Sequence, residues 1–343
     1  MGYREVMTAL DWNVAARRAG QIAPAGPTDS RVVLRGVVES LRRSAERAPG
    51  MVAEITGLTA AATAAAATPV YVVDRPRWSE ANVDIFRTLL ADSMPPGGAG
   101  SARVAAEEMG LLLALLSSRV VGQFDPFSSS GRLLLVAPNI VAVERDLDLD
   151  VMDFRLWVCL HEQTHAVQFA AAPWLAGHIA GRIGAMTGNL ADPGSGPERL
   201  RTAITAVIDV LRNRKSGASL LHAMLTEDEQ RELDGIIAVM SLLEGHADVV
   251  MDAVGPVRLP SVRRIRASFE ARRDGAGPFD LVVRRVLGMD AKIAQYRNGA
   301  VFVRGVVAKV GHAGLNAVWA GPTNLPSGEE IAHPDRWVAR VHG

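Results

Sequence analysis

His161-Glu162-Gln163-Thr164-His165 places two imidazoles four residues apart, with a carboxylate directly after the first. On a helix of about 3.6 residues per turn, such positions share a face, so both rings can reach one ion while Glu162 stands beside them. This is the donor pattern of a Zn²⁺ site where a carboxylate takes a proton from an activated water. The neighbours Phe154, Leu156, Trp157, Val158, Leu160, Ala166, Val167 and Phe169 predict a buried helix around it. A chain of this composition holds such a pentapeptide by chance on the order of once in a hundred. Two core-edge histidines can also be satisfied by ordinary hydrogen bonds, so a third ligand has to decide.

The segment from Leu242 to Asp252, LLEGHADVVMD, offers that ligand. It continues a helical pattern that opens at Thr226, with Glu229 three residues on as a capping box. Leu233, Ile236, Ile237, Met240 and Leu243 form one apolar stripe, and Gly255-Pro256 predicts the end. Glu244 and Asp248 are four apart and face the same way. Glu244 can then bind zinc while Asp248 accepts the free ring N–H of a zinc histidine. Leu242, Leu243, Ala247, Val249 and Val250 surround these carboxylates, which argues against a solvated face. His246 competes, because a three-histidine site is chemically sound. It lies two residues from Glu244, nearly on the opposite face, so only one of them can join His161 and His165 without unwinding the helix. The Asp248 echo favours Glu244 and leaves His246 as a substrate-side or oxyanion-stabilising group.

HEQTHAVQF and LLEGHADVVMDAVGP, with VAPNIVAVE before them and LNAVWAGPTNLP near the end, resemble the zincin-like metallopeptidase family of actinobacteria and their relatives. Some members of that family are labelled as associated with biosynthesis of a deazaflavin coenzyme. The resemblance covers nearly the whole chain and is most specific in the two motif segments. It implies a mainly α (α+β) fold: a zincin-like metallopeptidase core with a small β element and additional N- and C-terminal helices. In the gluzincin pattern, HExxH supplies two zinc ligands and the catalytic glutamate. A Glu on a later helix, followed four residues on by an Asp, completes the site. The pattern maps onto His161, His165 and Glu244 as ligands, Glu162 as general base and Asp248 behind them. Glu244 lies much further from His165 than in the better-known gluzincins, with helical material between.

The elements that must position these residues read as follows. Residues 1–95 form an N-terminal helical region, 102–255 the metallopeptidase core, and 256–343 a mainly helical C-terminal region. Pro95 to Ser101 is a linker or exposed loop. A helix is expected around Ala102 to Val121, then a turn-rich stretch Gly122 to Gly131 and a strand from Arg132 to Val143 broken at Pro138, with Asp148 to Asp150 capping the HExxH helix. Leu133 to Ala137 is the best local candidate for an edge strand that pairs with an extended substrate, or else one arm of a supporting hairpin. Gly188 to Pro197 is a second loop, able to act as a lid, and a helix follows from Glu198 to Arg212. Arg263, Arg264, Arg266, Arg272 and Arg273, continued by Arg284 and Arg285, read as a solvated helix face rather than a phosphate or carboxylate site. Asn316, Trp319 and Pro322 belong to the family-like C-terminal segment and are candidates to close one side of the cleft, with no chemistry assigned to them.

Composition excludes other classes. Apolar residues make up 48% and charged residues 22%, ordinary for a globular fold with a sizeable core. Basic and acidic residues balance at 37 each, so no global field calls for nucleic acid. Cys159 is the sole cysteine; it excludes an internal disulfide, reads as a packing residue, and lies about 200° around the helix from His161. The run Ile55 to Val73 is mostly Ala and Thr with Gly57 and Pro69, too weakly apolar for a membrane span, and it reads as a packed helix leading into a short strand. The opening residues have no signal-peptide pattern, so a cytoplasmic location is expected.

Together these readings predict a zinc-dependent hydrolase that cleaves a peptide or amide bond in a peptide or protein substrate. Glu162 takes the proton of a zinc-activated water and passes it to the leaving amine. Tyr296, His246 and Arg297 are chemically able to stabilise the oxyanion. Two other readings stay open: a zinc-binding, catalytically weak binding or regulatory protein on the same fold, and a helical scaffold without metal.

Overall fold

The computed structural model of the chain describes residues 10–90, 99–188, 225–272 and 299–343, together with 93, 198, 201 and 202. The first half runs α1 Trp12–Ile22, α2 Arg31–Thr56, α3 Thr59–Ala65, β1 Val70–Val73, α4 Arg75–Leu89 and α5 Ala99–Ser117. Next come β2 Gly122–Asp125, β3 Arg132–Val136, α6 Ala137–Asp146, α7 Val151–Ala171 and α8 Leu175–Thr187. The remaining described elements are α9 Glu227–Ala253, α10 Gly255–Arg258, α11 Val262–Arg272, α12 Gly299–Leu315, α13 Gly328–Ala332 and α14 Pro334–His342. Two 3-10 turns, Asn316–Ala320 and Pro322–Asn324, link α12 to α13. The fold is mainly α with one small sheet, as the resemblance implies.

That sheet has the order β1-β3-β2. β1 runs parallel to β3 with Val70 opposite Leu133, and β2 runs antiparallel with Gly122 opposite Leu135. β3 is therefore the central strand, paired on both sides, and the expectation that Leu133 to Ala137 forms a substrate-pairing edge is corrected. The edge beside the HExxH helix is β2. The expected strand to Val143 is also shorter. Ala137 and Pro138 open α6, since proline fits the first helical turn, where its missing N–H is not needed. Leu133 to Val136 are all buried, so the continuous apolar run LLLV reads as an inner strand.

α7 is the buried spine. Asp150 caps it by accepting the N–H groups of Met152 and Asp153. Its start is fixed by Arg155, whose Nε and Nη2 donate to both oxygens of Glu144 at 2.7 and 2.9 Å while Nη1 donates to Ser40 Oγ at 2.6 Å. A buried charge of this kind is tolerated because the pair is bidentate and Nη1 finds a further acceptor. α2 lies along one side of α7, with α3, β2 and α9 on the others. Phe154, Leu156, Val158, Cys159 and Leu160 thereby join Leu41, Ala45, Ala48 and Val52 of α2 in one core. The lone cysteine is buried within it, as a packing residue would be.

α9 begins with the Thr226/Glu229 capping box in full. Its C-terminal residues Val250 and Met251 enter the α7 core, while Val239, Leu242 and Leu243 enter a second core with α8, α12 and α14. One helix thus carries both cores past the HExxH face. Among the described residues no helix is long and apolar enough to cross a membrane.

Candidate metal centre

Where α7 and α9 cross, His161, His165 and Glu244 converge, with one ligand atom from each within 4.8 Å of the others. The two Nε2 atoms are 3.2 Å apart; that of His161 lies 3.5 Å from Glu244 Oε2 and that of His165 3.5 Å from Oε1, so the carboxylate faces the pair with both oxygens. Tetrahedral zinc with ligands at about 2.0–2.1 Å separates neighbouring donors by about 3.3 Å. Two neutral imidazoles and one carboxylate on such a triangle fit Zn²⁺ in both size and chemistry. Among the described residues this is the group of His, Cys, Asp and Glu side chains close enough to hold an ion. The other face of α9 turns His246 elsewhere, as the two-residue offset requires.

The electrostatics favour a cation between these groups. Burial pulls His161 toward its neutral form, yet the hydrogen bond and charge of Glu244, with the charges of Glu162 and Asp248, raise its pKa to about 9. Burial pushes Glu244 up, but both histidines outweigh it and hold the carboxylate well below its usual range. The ring Nδ1 atoms point outward from the triangle. His161 Nδ1 is 3.2 Å from Met251 Sδ, and His165 Nδ1 is 2.9 Å from Gln168 Oε1. The ring N–H of His165 therefore goes to Gln168 and not to the Asp248 carboxylate. Asp248 acts on His161 by charge and is approached by Arg266, whose Nη2 lies 3.8 Å from its Oδ1 and donates to its backbone oxygen at 3.1 Å.

Glu162 lies beside this triangle and is only 5% exposed. Burial raises its pKa most, the two histidines lower it, Glu244 raises it, and a hydrogen bond from the Phe124 backbone lowers it. Its carboxylate packs on β2 at Gly122, where a Cβ would stand 2.6 Å from Glu162 Cγ and 2.7 Å from Oε1. In the antiparallel ladder, Val121 O accepts from Val136 N. By alternation the Gly122 and Phe124 backbone groups turn away from β3, and that outer edge meets Glu162.

His246 is fully buried and tied to Gln168, with its ring 5.5 Å from that of Trp319. Burial, then His312 and His165, lower its pKa to about 3. This position lies behind His165 and not on an exposed substrate side. Tyr296, Arg297, Arg273, Arg284, Arg285, the 188–197 loop beyond Gly188 and most of the helix expected from Glu198 lie outside the described residues. Arg264 is exposed and pairs with Asp148, whereas Arg266 turns inward to Asp248 and Asp252, so the arginine stretch is not wholly a solvated face. Asn316 Nδ2 donates to Thr56 O, and Trp319 O accepts from Trp174 Nε1. These two residues hold the C-terminal turn against α2 and the start of α8.

Sequence reasoning missed Gln168, Gly122 and Met251. Gln168 had a local signal, being a polar residue three after His165 on a face that the apolar pattern buries. Gly122 had none, because the sequence reads it as the start of a turn-rich stretch and the structure places it in β2. Met251 had none.

Comparison with known proteins gives the chain a family. No curated protein matches the chain significantly. A crystal structure from Chloroflexus aurantiacus, described as a "putative hydrolase with a novel fold", is 30% identical with a TM-score of 0.64, covering 96% of this chain and 98% of that one. The family description "Zincin-like metallopeptidase" matches residues 10–338. With its HExxH histidines and a distant glutamate brought to one point, the chain belongs to the zincin-like metallopeptidase family.

Proposed function

We propose that this protein is a zinc-dependent hydrolase of peptide or amide bonds, with His161, His165 and Glu244 as ligands and Glu162 as general base. The observation that carries the reading is two imidazole nitrogens 3.2 Å apart, each 3.5 Å from a different oxygen of the one Glu244 carboxylate, with the buried Glu162 carboxylate beside them. Zinc bound there would lower the pKa of a water and polarise a carbonyl.

The chain's own residues supply the rest. Glu162 has a raised pKa because it is buried, so its carboxylate holds a proton more readily than a solvated one and can return it to a leaving amine. The Phe124 N–H orients that carboxylate, and the absence of a side chain at Gly122 makes room for it. On the outer edge of β2 the Phe124 N–H is taken by Glu162, and the rest of that edge lies next to the base. An extended peptide laid along this edge would be bound through its main chain, largely independent of its side chains. A peptide or protein substrate is therefore the class this site suits.

The experiment is metal analysis of protein purified without chelator, followed by digestion of a peptide library by wild type and Glu162→Gln. The reading expects close to one zinc per chain in both, with turnover lowered by about 10²- to 10⁴-fold in the variant. Zinc well below one per chain would refute the metal centre. Bound zinc with no turnover by wild type would favour the binding or regulatory reading instead.

A further inference from the structure

Gln168 joins the two halves of this site through one amide. It is fully buried three residues after His165 and makes contacts at both ends. Its Nε2 donates to Leu243 O at 2.9 Å and lies 3.0 Å from His246 Nδ1; its Oε1 lies 2.9 Å from His165 Nδ1. The orientation follows from chemistry. A backbone carbonyl can only accept, so the NH₂ group must face Leu243 and the oxygen must face His165.

Two tautomers follow from that single carbonyl. His165 carries its proton on Nδ1, which leaves the Nε2 lone pair facing His161 and Glu244. His246 accepts at Nδ1 and, being neutral, carries its proton on Nε2. The second consequence is mechanical. Leu243 is the residue before Glu244, so the amide that orients one ligand also pins the backbone next to another. On the far side of Glu244, Gly245 lies against α12 so closely that a Cβ would stand 2.0 Å from Gly299 C. The backbone on both sides of Glu244 is thereby fixed.

We propose that Gln168 is a positioning residue of the metal centre: it sets the tautomer of His165 and holds the carbonyl beside Glu244 at a fixed distance from that ring. The inference rests on the zinc reading above and is tested separately from it. Zinc dissociation constants are measured by chelator competition for wild type, Gln168→Met and Gln168→Glu, alongside visible spectra of the cobalt-substituted proteins and melting temperatures. Methionine keeps the bulk and makes none of the bonds, so zinc should bind about 10- to 100-fold more weakly, with a shifted cobalt spectrum. Glutamate can still accept from His165 Nδ1–H and should recover part of that loss. A Gln168→Met protein with wild-type zinc affinity and an unchanged cobalt spectrum, whatever its melting temperature, overturns the proposal.

Nitrogen-15 spectra of histidine-labelled wild type give a check that needs no variant. In the zinc-loaded protein the metal at Nε2 itself leaves the His165 proton on Nδ1, so the discriminating ring is His246, which should be protonated on Nε2. The opposite tautomer at His246 overturns the proposal even if the variants fail to fold. If wild type takes up no zinc at all, the metal-centre reading falls, and the His246 tautomer still tests the Gln168 network on its own.

Discussion

Adding one methyl group at Gly122 tests the placement of the base without touching a ligand. A Cβ there would stand 2.6, 2.7 and 2.9 Å from Cγ, Oε1 and Cδ of Glu162. Carbon atoms in contact sit about 3.5 Å apart or more, so the Glu162 side chain must retreat by about 1 Å. It has little room to do so, being buried under β2 and held by the Phe124 N–H. A displacement of that size costs roughly 10²-fold in rate when the moved group must meet a reacting atom. The backbone itself should accept alanine: Gly122 is not among the glycines with positive φ, and Gly→Ala at a compatible site stabilises by about 0.4–1 kcal/mol through the unfolded chain. Gly122→Ala is therefore expected to fold, to bind one zinc, and to lose most of its hydrolysis of whichever library peptide wild type cleaves. Turnover within about threefold of wild type, with zinc bound, would show that Glu162 does not act from this position.

Three further outcomes follow from the same geometry. Glu244→Ala should release zinc while His246→Ala leaves it bound, read by metal content after dialysis; the reverse result would make the centre a three-histidine site. Asp248→Ala should weaken zinc only by about 10- to 100-fold, because Asp248 acts on His161 by charge and holds no donor position in the triangle. His246, held near pKa 3 by burial, should make the fold acid-sensitive. Its folded pKa lies below the unfolded value of about 6.5, so the unfolded state binds more protons between those values and stability falls as pH drops through that window. From pH 7 to 4.5 the loss from this residue is about 2–3 kcal/mol. Urea unfolding of wild type and His246→Asn at the two pH values reads it, and equal slopes would rule out a buried neutral histidine.

What was legible in the sequence was local. The i, i+4 spacing of His161 and His165, the Asp150 cap and the Thr226/Glu229 capping box are each written within a few residues, and each is as read. Glu244 was reachable because its own helix pattern separated it from His246 by nearly half a turn. What failed was pairing between distant segments. Whether a strand is central or an edge depends on partners, and the apolar run ending at Pro138 fits either a strand with a break or a strand followed by a helix start. The partners of Gln168 lie 75 and 78 positions away, so its polarity was visible but its purpose was not. Arg266 fails for the same reason: on its own helix it looks like one of several surface arginines, and only the approach of α9 gives it Asp248 and Asp252.

The long separation between His165 and Glu244 then has a simple physical reading. The triangle is set by the crossing of α7 with α9, not by the chain that joins them. That crossing is fixed at its own level by Val250 and Met251 in the α7 core, by the Gln168 bond to Leu243 O, and by Gly245 against Gly299. α8 also packs back along α9, so the connection begins by returning to the helix it must reach. Lengthening a connection costs little once its ends are held; each doubling adds only about 0.6 kcal/mol of closure entropy. Substitutions at the crossing should therefore disturb the centre far more than changes of length between the motifs. By this argument a glutamate distant in sequence can complete an HExxH site with the same donor spacing as a near one.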